Sequence, residues 1–116
     1  MQVAAIILLL AAIGGLTLAV IRLRGAPWPP LWMALGHGAV AATGVGWLIY
    51  VAATQGIPTM AQIALGIFVL AALGGAVLLL GFHLRNKPLP VPFVLGHGLI
   101  AATGYILLLL SVFRAV

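Results

Sequence analysis

The chain has 116 residues, of which 66% are hydrophobic and 4% charged; five Lys and Arg stand against no Asp or Glu, and cysteine is absent. Soluble domains carry about 25% charged residues, so this composition excludes a fold that faces water on all sides. The missing residue types exclude disulfides, thiolate metal sites, iron–sulfur clusters, covalent c-type haem, carboxylate-based proton antiport and acid–base hydrolysis.

The first apolar run predicts a helix over 2–23. It has no basic start and is longer than the 7–15 apolar residues of a signal peptide, so a retained helix is expected. Arg22 and Arg24 close it, and Gly25-Ala26-Pro27-Trp28-Pro29-Pro30 forms a loop. A second helix is expected over 31–54, just after Pro30, because proline tolerates the first helical turn. Thr54-Gln55-Gly56-Ile57-Pro58 is a short link to a third helix over 59–84, with Thr59 and Gln62 spaced as a capping box. Asn86-Lys87-Pro88-Leu89-Pro90 then leads into a fourth helix over 91–113. Each run matches the roughly 20 apolar residues that cross a bilayer. The expected fold is therefore all-α, a single-domain integral membrane four-helix bundle over 1–116.

An ungapped shift of 60 residues lays the second half of the chain on the first. Gln2 falls on Gln62, Gly14-Gly15 on Gly74-Gly75, and Pro30 on Pro90. Leu35-Gly36-His37-Gly38 falls on Leu95-Gly96-His97-Gly98, and Ala41-Ala42-Thr43-Gly44 on Ala101-Ala102-Thr103-Gly104. Apolar low complexity does not readily set a histidine between two glycines twice in one register. Two tandem hairpins are inferred, about 1–56 and about 57–116. With two helices each, they are expected to be parallel repeats that hold His37 and His97 at one depth. Each histidine lies seven residues past its proline, about 10 Å along the helix at 1.5 Å per residue.

Arg22, Arg24, Arg85 and Lys87 all fall on one side of this topology, with Arg114 and the amino terminus on the other. The positive-inside rule then places the proline-rich loops in the cytoplasm and both termini outside, as for a bacterial inner-membrane protein. Trp28 and Trp32 near one interface, and Trp47 and Tyr50 near the other, fit aromatic belts. The charges sit at helix ends rather than along a polar face, so a nucleic-acid partner is not expected.

The unit Gly-His-Gly-x-x-Ala-Ala-x-Gly carries the chemical information. Helical spacing puts His37 in line with Ala41 and Gly44, and His97 with Ala101 and Gly104, with Gly36, Gly38, Gly96 and Gly98 flanking the rings. An imidazole at the head of a stripe without side-chain bulk suits a flat macrocycle: a nitrogen for iron, and a surface the ring can lie against. In an up-and-down bundle the second and fourth helices are diagonal, so the two histidines are candidate ligands of one haem b. Arg22, Arg24, Arg85 and Lys87 are candidate partners of the haem propionates, although positive-inside sorting predicts the same charges. A four-helix membrane bundle with matched histidines resembles b-type cytochrome subunits in general. That resemblance implies one-electron transfer, with a quinone or a larger membrane complex as partner.

Other readings of the same residues stand beside this one. Ala34, Gly38, Ala42 and Gly46 form a small-residue ladder of the kind that packs helices in lipid. On that reading the chain is a non-redox packing or assembly subunit, or a homo-oligomer. Copper, zinc or a quinone are further ligands a histidine pair could take. A transporter or channel is disfavoured, since no polar lining beyond the histidines is visible. His83, whose counterpart is Leu23, reads as an interfacial histidine near headgroups, or more sharply as a propionate contact, a proton relay or a substitute ligand. Thr43 and Thr103 are expected to bond the carbonyl one turn back, and Gly14-Gly15 and Gly74-Gly75 to be helix contact points or flexible spots.

Overall fold

The computed structural model describes residues 1–114 as four helices. They are α1 (Gln2–Leu23), α2 (Leu31–Thr54), α3 (Thr59–Val77) and α4 (Val91–Arg114). α1 and α2 coincide with the expected spans, and α4 runs one residue further. α1 packs along α2 and α3 along α4, and the α1–α4 and α2–α3 seams close the ring, leaving α2 diagonal to α4. The bundle measures 43 × 21 × 18 Å, about the thickness of a bilayer with its headgroups. All four helices are long and apolar enough to cross a membrane, which suggests an integral membrane protein in contact with lipid.

The third helix departs from expectation at its end. α3 gives way to a π-helical turn, Leu78–Phe82, and then to a 3-10 turn, His83–Arg85. The His83 N–H reaches the carbonyls of both Leu78 and Leu79, so the ladder widens by one residue. The segment stops in a Schellman arrangement. Lys87 N–H bonds the Phe82 carbonyl at 2.9 Å and Asn86 N–H the His83 carbonyl at 3.2 Å, with Asn86 left-handed at φ 56°. Asparagine tolerates that conformation better than most non-glycine residues.

The capping box at the start of α3 does not form. Pro58 occupies the cap position, so Thr59 is already helical, one residue too late for its hydroxyl to cap the first turn, and no side-chain cap bond is made. Gln62 reaches the Ile57 carbonyl instead, at 3.1 Å. The threonine expectation holds: Thr43 donates to the Ala39 carbonyl and Thr103 to the Leu99 carbonyl, each at 2.8 Å.

The core is concentrated towards the end of the bundle that carries the termini. Ala4, Ala5, Leu8, Leu48, Ala61, Ala64, Phe68 and Leu108 form one buried cluster. Tyr105 Oη donates to the Ala5 carbonyl at 2.8 Å and ties α4 to α1 there. Towards the proline-rich loops the packing changes. Beyond Ala11, Gly44, Ala71 and Gly104, no apolar residue of the four helices is buried among the described residues. The loops themselves are joined: Leu89 N–H bonds the Pro27 carbonyl at 3.0 Å, and Arg22 Nε bonds the Leu89 carbonyl at 2.8 Å.

Candidate functional site

His37 and His97 come together just where the dry core ends. Their ring centroids are 6.2 Å apart and the ring planes are at 88°. Both residues are half-buried. They reach each other from diagonal helices because the partner helix of each hairpin offers glycines rather than side chains. A Cβ on Gly15 would lie 2.8 Å from His37 Cε1, and one on Gly75 would lie 3.1 Å from His97 Cε1. The paired glycines are thus seats for the imidazoles, which their spacing in the sequence did not reveal.

The two rings differ in their hydrogen bonding. His37 Nδ1 is 2.8 Å from the Ala11 carbonyl, a contact in which Nδ1–H donates to the carbonyl oxygen. His97 Nδ1 faces the backbone at Ala71 but closes no hydrogen bond, and it is the buried side-chain nitrogen without a partner among the described residues. Buried polar atoms without a partner are uncommon in folded proteins, which sets this nitrogen apart from His37 Nδ1.

The remaining candidate residues fall into separate groups. Gly44 and Gly104 serve helix packing: a Cβ on Gly44 would meet Leu8 at 2.7 Å, and one on Gly104 would meet Ile67 at 3.1 Å. Ala41 and Ala101 are half-buried beside them. Gly36, Gly38, Gly96 and Gly98 have open space where a side chain would stand. In the small-residue ladder of α2, Gly38, Ala42 and Gly46 are exposed, so it packs against nothing within the described chain. Arg22 is half-buried and spent on backbone, with Nε on the Leu89 carbonyl and an η nitrogen 3.3 Å from the Ala26 carbonyl. Arg24, Arg85 and Lys87 are exposed at the same end of the bundle.

His83 stands at the loop end of the bundle, where its position in the sequence puts it. It is only 8% exposed, because the π turn carries it into the bundle end while its counterpart Leu23 stays exposed. It lines a cleft of about 530 Å³ together with Ile21, Trp28, Pro30, Leu84 and Asn86. Nothing in the sequence indicated this cleft beyond the unmatched histidine.

Among the described residues no group of three or more His, Cys, Asp or Glu side chains is placed to hold a metal ion. A bare zinc ion in a structural site takes four protein ligands. Two imidazoles alone fit a group that brings most of its own ligands. No family model matches the chain, and neither a curated protein nor a solved structure is found similar to it.

Proposed function

We propose that the protein is a small membrane cytochrome of the b type, holding one haem between His37 and His97 and passing single electrons within the bilayer. The facing imidazoles carry this reading. A metal–imidazole nitrogen bond is about 2.0 Å, so two imidazoles that would hold one iron between them would have centroids roughly 6 Å apart. The observed 6.2 Å is consistent with that spacing. His37 and His97 would be the two protein ligands, and a macrocycle would supply the remaining nitrogens.

His37 is oriented for this role by the Ala11 carbonyl on Nδ1, the outer contact that metal-ligating histidines usually make. The loop-side half of the bundle, which lacks buried apolar residues, is where a large flat group would be accommodated. Arg24, Arg85 and Lys87 lie at that end and are suited to carboxylates. On this reading the two hairpins are copies of one unit, each contributing one histidine and one glycine seat. The basic loops face the cytoplasm and the termini face outward. Haem, when bound, supplies one-electron chemistry; this chain's own residues orient the ligands and exclude water.

A second reading has its own support. The exposed ladder of Gly38, Ala42 and Gly46 is a surface for another transmembrane helix, as in an assembly subunit or a homo-oligomer. The visible spectrum decides between them. The detergent-purified parent from haem-replete cells is expected to show a Soret band with sharp reduced α and β bands. His37→Ala and His97→Ala are each expected to lose that low-spin signature. A colourless parent, or a spectrum unchanged in both variants, overturns the haem reading.

A further inference from the structure

We propose that His97 is the displaceable member of the histidine pair, and that a small neutral diatomic molecule, such as carbon monoxide or nitric oxide, binds in its stead. This rests on the haem reading and goes beyond electron transfer, since it gives the site a ligand of its own to take up.

The two histidines stand in matched sequence surroundings, 60 residues apart, yet they are not held alike. His37 Nδ1–H donates to the Ala11 carbonyl at 2.8 Å. The acceptor in the same register for His97 is the Ala71 carbonyl, and that bond is not closed. The seats differ in the same sense. A Cβ on Gly15 would stand 2.8 Å from His37 Cε1 and 3.4 Å from both ring nitrogens. One on Gly75 would stand 3.1 Å from His97 Cε1, 3.7 Å from Nε2 and 3.8 Å from Nδ1, longer at every matched atom. The helices behind the rings differ too. α1 runs on as regular α-helix to Leu23, whereas α3 passes into its π turn at Leu78, three residues beyond Gly75.

This asymmetry has a chemical consequence. An acceptor on the outer nitrogen fixes the ring plane of a ligating histidine and raises its basicity, and loss of such a partner typically costs about 10–100-fold in metal affinity. His37 has that acceptor and His97 does not, so of two bonds to one iron the His97 bond is the weaker. In the ferrous state that electron transfer produces, the His97–iron bond breaks and its electron pair returns to Nε2. The incoming molecule donates a lone pair in place of the imidazole, so no oxidant or reductant is consumed.

The surroundings select the class of ligand. The cations lie at the bundle ends, Arg22, Arg24, Arg85 and Lys87 at one and Arg114 at the other, and the chain has no acid. An anion such as cyanide or nitrite would carry its charge among apolar helices without a partner. A neutral diatomic molecule has no such cost, and it reaches the site through lipid. It is also smaller than the imidazole it replaces, and Gly96 and Gly98 leave open space on either side for that ring to swing aside.

The test is carbon monoxide binding to the dithionite-reduced, haem-loaded full chain in detergent, followed at the Soret band by stopped flow, for the parent, His97→Ala and His37→Ala. The parent is expected to bind it, at a rate that levels off at high carbon monoxide because His97 must leave first. His97→Ala should keep its haem, give the same carbon monoxide spectrum as the parent, and bind at least about tenfold faster with no plateau. His37→Ala, left with the weaker ligand, should retain haem about 10–100-fold less tightly. A parent with a low-spin haem spectrum that takes up no carbon monoxide overturns this inference and leaves the haem reading standing, whether or not either variant folds. Equal haem retention in the two alanine variants does the same. A parent with no haem spectrum overturns both.

Discussion

At the scale of single residues, the tolerance that bears on the histidine site is between His37 and Gly15. A methyl group on Gly15 would stand 2.8 Å from His37 Cε1, so the ring must move, and it cannot move freely while Nδ1 stays on the Ala11 carbonyl. Gly14 differs, since a methyl there would make an ordinary contact at 3.7 Å. Gly15→Ala is therefore expected to destabilise the bundle by about 1–3 kcal/mol, the usual range for overpacking. Gly14→Ala should change it little. Thermal melting of both variants in detergent checks this, and equal melting temperatures would remove the seat from the argument. The importance of His37 and His97 was legible in the sequence because two polar residues recur in an apolar chain at one register. The glycine seats were only half legible: Gly14-Gly15 and Gly74-Gly75 stood out as pairs, but which residue they accommodate depends on the rotation of each helix. The burial of His83 was not legible, because position along a helix gives depth, whereas inward or outward facing depends on the turn that precedes it.

At the scale of helices, glycines of similar appearance do different things. Gly44 on α2 closes on Leu8 of α1, and a Cβ there would come within 2.7 Å. Gly46, two residues on, meets nothing within 4 Å. Gly44→Ala should therefore lower stability, by roughly 1–3 kcal/mol. Gly46→Ala should be neutral or raise it by up to about 1 kcal/mol through helix propensity, unless another helix occupies that face. Melting of the pair at low and high protein concentration reads both effects. A Gly46→Ala loss that appears only at high concentration would reveal a partner on the α2 ladder. The helix spans themselves were almost wholly legible, since apolar run length and proline positions set them. The end of the third was not, because a π turn reflects how the ladder meets the loop and leaves no periodic mark. The capping box failed for a local reason: Pro58 had already taken the cap position, so the spacing of Thr59 and Gln62 was met without its geometry.

For the whole molecule, the all-α four-helix bundle with four helices apolar enough to span a membrane followed from composition and the number of apolar runs. Orientation in the bilayer rests on charge alone. Single cysteines at Gln2, Gly56 and Asn86, labelled from outside intact cells, are expected to react at Gln2 and Gly56 and to be protected at Asn86. The reverse pattern would invert the topology while leaving the proposed site intact.

The clasp between the proline-rich loops has a consequence for how the chain is held together. Leu89 takes a hydrogen bond from Arg22 and gives one to Pro27, and at the far end of the same seam Tyr105 bonds the Ala5 carbonyl. The α1–α4 seam is thus pinned at both ends, whereas the peptide link between the hairpins is the exposed segment around Gly56, at φ 76°. Covalent continuity at Gly56 is therefore expected to be dispensable. Residues 1–56 and 57–116, made as two separate polypeptides in one cell, should find each other in the membrane and co-purify. Removing the Arg22 side chain should weaken that reassembly more than it weakens the intact chain, in which the link still holds the halves at high local concentration.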